Sequence, residues 1–294
     1  MKHLFQKKLP EDFNSSATLR FLARSDREVL HKVDNQRIKK WVSFGDENLY
    51  FELSAAGPQS WQVHSSATDP AAVRFISDYL DQWFDLRRPL SPFYDFARQD
   101  ELLAPIVERH RGLRIIGIPD LFEALSWSVI GQQINLAFAY TLKRRMVENW
   151  GESFEAQGQR RYLFPRPEAI APLEVAHFTP YQYSRRKAEY LIGIARLMAD
   201  GQLSKAPLQA QPFEEALHTL VAIRGIGPWS AHYVLMKCLL HGEAYPAQDA
   251  GLHQALRKHL QLPTKPDKAL LQALGNRWGP WRAYAVFYLW QSLL

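Results

Sequence analysis

The residues with the clearest chemical potential lie in the last third of the chain. Leu220–Tyr233 reads LVAIRGIGPWSAHY: a helix, a tight turn with Gly225 and Gly227, and a second helix opened by Pro228. Glycine is needed where φ is positive or where a ligand must come close to the main chain. With Pro228 in the first turn, the N–H groups of Gly225, Ile226, Gly227 and the new helix point one way, which suits a phosphate. A plain helical hairpin has the same glycine spacing, and the glycines alone do not choose between the two. Trp229 and Tyr233 are four apart and share a helix face. Twenty positions beyond Trp229 stands Asp249, just ahead of a helical run, where a carboxylate serves as an N-cap. A third cluster, Arg277-Trp278-Gly279-Pro280-Trp281-Arg282-Ala283-Tyr284, leads to Trp290.

Other chemistries find no support. No G-x-S-x-G, H-E-x-x-H, Walker A or C-x-x-C pattern occurs. The single cysteine, Cys238, cannot form an internal disulfide, a four-cysteine zinc site or an iron–sulfur cluster, and its apolar neighbours read as core. His232 and His253 stand next to the key motifs, but a lone histidine is more often structural.

The elements that position these residues fall into two parts. A length of 294 residues suggests two domains. With 36 Lys and Arg against 30 Asp and Glu, the net charge is +6, which permits a polyanionic partner without proving one. Met1–Pro10 lacks the apolar run of a secretory signal, and no window of about 18 apolar residues could span a membrane. The expectation is a soluble, cytoplasmic monomer.

Residues 1–98 read as a small antiparallel sheet followed by a helix. Strands are expected at 37–42, 49–53 and 61–64, the second half-buried because Leu49, Phe51 and Leu53 alternate with Tyr50 and Glu52. The helix runs over 70–84, capped by Asp69 with Pro70 in its first turn. Residues 87–92 read as a linker. From there the pattern is helical, with runs at 120–130, 134–150, 184–199, 212–223, 229–241, 251–260, 267–278 and 280–294. The proline-rich stretch 160–180 reads as irregular. Arg185-Arg186-Lys187 opens one helix against its dipole and reads as a solvated charge run.

Taken together, the glycine hairpin, the downstream Asp249 and the final W-x-P-W-R-x-Y-A segment resemble the helix–hairpin–helix DNA glycosylase superfamily, most of all its DNA-3-methyladenine glycosylase II branch. The Ser126–Ala137 segment, with its Gly131-Gln132-Gln133 turn, matches as well. The resemblance covers roughly residues 115–294. It implies an α+β fold: a small β domain ahead of a helical core, 99–294, whose two subdomains are 119–240 and 99–118 with 241–294. It implies a glycosylase that flips alkylated purines out of double-stranded DNA and hydrolyses the N-glycosidic bond. Asp249 falls on the catalytic aspartate, and Trp229, Tyr233 and Trp290 on the base pocket. Gly225, Ile226 and Gly227 would contact DNA backbone. Gln132, Gln133 and Ile134 would form the turn that fills the gap left by the base, with Gln133 where the better-known form has leucine. Strand-cutting members carry a lysine where Trp229 stands, so no lyase activity is implied. No cofactor or iron–sulfur cluster is implied; a sodium or potassium ion at the carbonyls of Val221, Ile223 and Gly225 is. The competing reading is a non-enzymatic helix–hairpin–helix protein that binds damaged DNA.

Overall fold

The computed structural model describes residues 1–57 and 59–294. The chain opens with β1 (Lys2–Lys8) and α1 (Ser15–Leu22), then β2 (His31–Asp34), β3 (Arg37–Phe44), β4 (Glu47–Ala55) and β5 (Ser60–Ser65). These strands form one antiparallel sheet in the order β1-β5-β4-β3-β2. Helix α2 (Pro70–Trp83) follows, with the Asp69 side chain accepting the Ala71 N–H at its start. It lays Phe75 and Tyr79 against Phe44 and Phe51 of the sheet.

The helical part begins with α3 (Ser91–Arg98) and α4 (Leu103–Arg109), then α5 (Leu121–Ile130) and α6 (Leu136–Trp150). A hairpin, β6 (Ser153–Ala156) and β7 (Gln159–Tyr162), and two single-turn helices, α7 (Pro167–Ile170) and α8 (Val175–Phe178), lead to α9 (Arg185–Ala199). The remainder is α10 (Lys205–Ala210), α11 (Phe213–Val221), α12 (Pro228–Lys237), α13 (Ala250–His259), α14 (Lys268–Trp278) and α15 (Arg282–Gln291). One apolar core runs from Leu9 of the N-terminal part to Leu289 of α15.

Three expectations need correction. Strand β4 is buried on both faces, with Tyr50 and Glu52 as covered as Leu49, Phe51 and Leu53. The reason is the β6–β7 hairpin, which lies within the stretch after α6. Its flank brings Leu163 and Phe154 onto Trp41 and Tyr50, and Trp41 Nε1 donates to the Tyr162 carbonyl at 2.7 Å. Residues 160–180 are accordingly not irregular throughout. Segment 87–92 is no free linker either: Arg87 pairs with Asp78 and Asp81, while Arg88 pairs with Asp85 and donates to the Leu240 carbonyl.

Candidate active site

Asp249 is the N-cap of α13, and its Oδ1 accepts the Leu252 N–H at 2.8 Å. The same oxygen accepts Trp290 Nε1 from α15 at 2.7 Å, and Oδ2 accepts Trp229 Nε1 from the first turn of α12 at 3.1 Å. A carboxylate offers about four lone-pair positions. Three are taken by N–H donors, so one on Oδ2 stays open on a half-buried group. Gly251 makes room for this arrangement, because a Cβ there would meet Asp249 Oδ1 at 3.0 Å and Trp290 Cδ1 at 3.1 Å.

The rings that donate these bonds also form a wall. Trp229 and Tyr233 have centroids 5.6 Å apart, and Tyr233 and Trp290 6.2 Å apart, each pair tilted by 34°. A flat ring held between two others needs about 7 Å, two contact distances. Neither pair leaves room for a further ring between its members, so a ligand ring would pack on the faces they expose. Burial raises the pKa of the Tyr233 phenol well above the ordinary value, so it stays protonated. Behind Tyr233 lies a cavity of about 60 Å³, also bordered by Trp127, Tyr140 and Arg24. Arg24 Nε donates to the Tyr140 hydroxyl at 2.9 Å, and its guanidinium stacks 3.7 Å over Phe21. The N-terminal part thus contributes to the surroundings of the pocket.

Both hairpin glycines are accounted for, by different physics. Gly225 has φ +96° and its Cβ position is filled by the Tyr190 ring at 2.3 Å. Gly227 has φ −81°, and a Cβ there would meet nothing within 4 Å. Neither backbone conformation nor packing demands glycine at 227; glycine is a favoured N-cap residue, and the open space leaves room for close approach from outside the chain. Gly227 is the N-cap of α12 without a side-chain cap, so no side chain of the cap residue takes up the helix's first N–H groups. The Ile226 N–H is not among them. It donates to the Ile223 carbonyl at 2.9 Å, and the Ile226 side chain is core.

The turn after α5 packs against this hairpin. Gln132 does not face outward as expected: its Nε2 donates to the Gly225 carbonyl at 2.9 Å and to Ser230 Oγ at 3.0 Å. Gln133 is exposed and holds φ +57°. Ile134 packs partly on the core. One turn on, Leu136 opens α6 with 54% of its surface in solvent.

Residues 126–280 match the HhH-GPD superfamily of base excision DNA repair proteins. The chain belongs to this superfamily. Residues 25–125 match the N-terminal domain of 8-oxoguanine DNA glycosylase. Over 289 residues the chain is 41% identical to the DNA-3-methyladenine glycosylase of Bacillus subtilis (strain 168), covering 97% of this chain and 95% of that one. It is 28% identical to DNA-3-methyladenine glycosylase 2 of Escherichia coli (strain K12) over 62% of this chain and 61% of that one. A solved 3-methyladenine DNA-glycosylase from Archaeoglobus fulgidus shares the fold, with TM-score 0.85, 23% identity and coverage of 98% and 97% of the two chains.

Within this HhH-GPD chain the remaining candidates have structural duties. His232 Nδ1 accepts the Tyr245 N–H at 3.1 Å, and burial with Arg282 nearby pushes its pKa down to about 4. His253 Nε2 lies 2.8 Å from the Ala247 carbonyl. Cys238 is buried, and burial pushes its thiol up to about 12. Of the basic run, Arg185 pairs with Glu189 while Lys187 reaches inward to the Ile130 and Gln132 carbonyls.

Sequence reasoning missed Gly251, Lys187 and Arg24 as neighbours of the site. For Gly251 a signal existed, a glycine in the first helical turn after Asp249. For the other two the contacts join distant segments, and no local pattern marks them.

Proposed function

We propose that this protein is a monofunctional DNA glycosylase that removes alkylated purines from double-stranded DNA and acts as a cytoplasmic monomer. The reading rests on Asp249, whose carboxylate is fixed by three N–H donors with one lone pair open, beside a wall of aromatic faces. A base stacked in a duplex cannot reach such a site and must be flipped out. N-alkylation gives purines such as 3-methyladenine and 7-methylguanine a positive charge and a weakened glycosidic bond. Electron-rich ring faces bind that cation at roughly 0.5–2 kcal/mol each. As the C1′–N bond breaks, the base leaves neutral and charge develops on the sugar. Asp249 stabilises that charge and orients the water that adds to C1′.

A lyase step needs an amine that attacks C1′. Trp229 supplies none. Lys237 lies two turns further along α12, is enclosed by Phe21 and Phe287, and donates to the Ile116 carbonyl. The hairpin would bind DNA phosphate through the free N–H groups at Gly227 and the start of α12. Three carbonyls there, of Val221, Ile223 and Gly225, suit a monovalent cation. Ile223 and Gly225 each accept one protein hydrogen bond and keep a second lone pair. Such an ion would add positive charge behind the phosphate.

The test is chromatography of bases released from methylated duplex DNA. Free 3-methyladenine or 7-methylguanine is the expected result. Bound DNA without free base would indicate a damage-binding protein. Borohydride should trap no covalent DNA adduct.

A further inference from the structure

The short turn joining α5 to α6 is fastened from two sides. Of residues 131–135, Gln133 and Asn135 are exposed. The Asn135 side chain is committed to capping α6 through the Phe138 N–H, which leaves Gln133, at φ +57°, a left-handed conformation uncommon for a residue with a side chain, as the free side chain of the turn. On one side, Gln132 ties the turn to the hairpin through the Gly225 carbonyl and to α12 through Ser230, which is buried. On the other, Lys187 crosses from the first turn of α9. Its ammonium donates to the carbonyl of Ile130, the last residue of α5, and at 2.8 Å to that of Gln132. These are orphan acceptors at a helix C-terminus, where a cation is favoured.

The placement of Lys187 is costly in its own helix. Its charge sits at the positive end of α9, and partial burial lowers its pKa to about 8. Its neighbour Arg185 takes the cheaper course, pairing with Glu189 along the solvent face. A cation kept half-buried at the wrong helix end, bonded to two carbonyls of one turn, serves that turn.

We infer that Lys187 is a positioning residue for base flipping: it holds the 131–135 turn so that Gln133 projects from the protein surface into the duplex. With Gln132 as the second tie, the phosphate-binding hairpin and the gap-filling turn become one rigid unit. Flipping then needs no loop ordering when DNA binds. The inference rests on the reading above that the turn enters DNA.

The test uses 2-aminopurine placed beside a 7-methylguanine analogue in a duplex, whose fluorescence rises when the stack opens. Lys187→Cys is measured before and after alkylation with bromoethylamine, which rebuilds a lysine-length amine. Cys238 is buried and is left unmodified under native conditions. Lys187→Cys should lose fluorescence amplitude and single-turnover base release by roughly 10- to 100-fold, the scale of a misplaced group. Its affinity for undamaged duplex should stay within about twofold, since phosphate contacts are sequence-independent. Alkylation should restore amplitude and rate together. A Lys187→Cys protein that flips like wild type, or stays defective after alkylation, overturns the inference. If Lys187→Cys does not fold, Lys187→Gln serves, and wild-type flipping by that variant overturns it equally. Gln133→Ala separates the premise: normal flipping there means the turn does not enter DNA, whatever Lys187 does.

Discussion

Asp249 carries two duties that a single side chain can combine because both are acceptor duties. It caps α13 through Leu252 and it receives two indole N–H groups. Asp249→Asn cannot keep all three. If the amide oxygen stays on Leu252 and Trp290, its NH2 faces the Trp229 N–H, donor against donor. The variant is expected to bind duplex DNA and to release base at least about 100-fold more slowly, the loss typical of a removed transition-state charge contact. Single-turnover release beside an affinity titration measures both, and a near wild-type rate would remove Asp249 from the chemistry. Trp229 is double-purpose in the same way, and two substitutions separate its parts. Trp229→Phe keeps a π face and loses the bond to Asp249, so release of charged and neutral bases should fall together, by about 10- to 100-fold for a bond worth 1.5–3 kcal/mol. Trp229→Leu also loses the π face, adding a further loss of about 2- to 30-fold confined to cationic 7-methylguanine as against hypoxanthine. Equal losses in Trp229→Leu would show that the ring face does not read charge. The capping carboxylate and the shared face of Trp229 and Tyr233 were legible in the sequence because each is a short-range pattern. The indole bonds to Asp249 were not, because they join three helices.

At the level of elements, the hairpin offers a contrast between glycines that sequence alone treats alike. Gly225→Ala puts a Cβ at φ +96° and into the Tyr190 ring, so it should destabilise the fold. Gly227→Ala meets open space at an ordinary φ, so the melting temperature should fall only slightly, by the N-cap preference for glycine over alanine less the entropy the alanine removes from the unfolded chain. Its affinity for damaged and undamaged duplex should fall alike, because the methyl group stands where phosphate approaches. A Gly227→Ala protein with unchanged affinity would show that the backbone there is not approached. The helices carrying these residues were readable to within a few residues, since each has a proline at its start: Pro212 ahead of α11 and Pro228 in the first turn of α12. The β6–β7 hairpin was not readable. Its strands have four residues each, three of the four in β7 being Gln or Arg, and pack beside Trp41 and Tyr50. The same contact explains why β4, read as half-buried by alternation, is covered on both faces. Alternation reports an exposed face only when no later segment returns to cover it.

The whole molecule is held together across its two parts by a buried charge cluster that composition could not show. Glu28 of the N-terminal part and Glu123 of α5 both bind the Lys143 ammonium of α6, at 3.1 and 2.9 Å. Burial works against the Glu28 carboxylate, but Lys143, His31 and the Leu30 N–H outweigh it and hold its pKa well below the carboxylate range. Lys143 is held charged in turn: burial disfavours its ammonium, and the two carboxylates raise its pKa above the ordinary value. His31 in the same cluster is pushed down to about 4 by burial, with Glu28 pulling the other way. Lys143→Met keeps the apolar stem and removes the charge, leaving two buried carboxylates without their ion-pair partner and with only the more distant Lys40 ammonium facing both. Breaking such a cluster costs about 3–5 kcal/mol at pH 7, read from denaturant midpoints. The pH dependence identifies the cause. In the wild type the folded Glu28 binds its proton less readily than the unfolded chain does, so its contribution is full above the unfolded pKa of 4.5 and declines as pH falls below it. In Lys143→Met, Glu28 loses the largest of the interactions that favour its charge and binds a proton more readily when folded, and it can draw a proton onto His31. The variant therefore gains relative stability as pH falls from 7 toward 4, and the gap to the wild type should narrow. A gap constant over that range would assign the loss to packing of the lysine stem and not to charge.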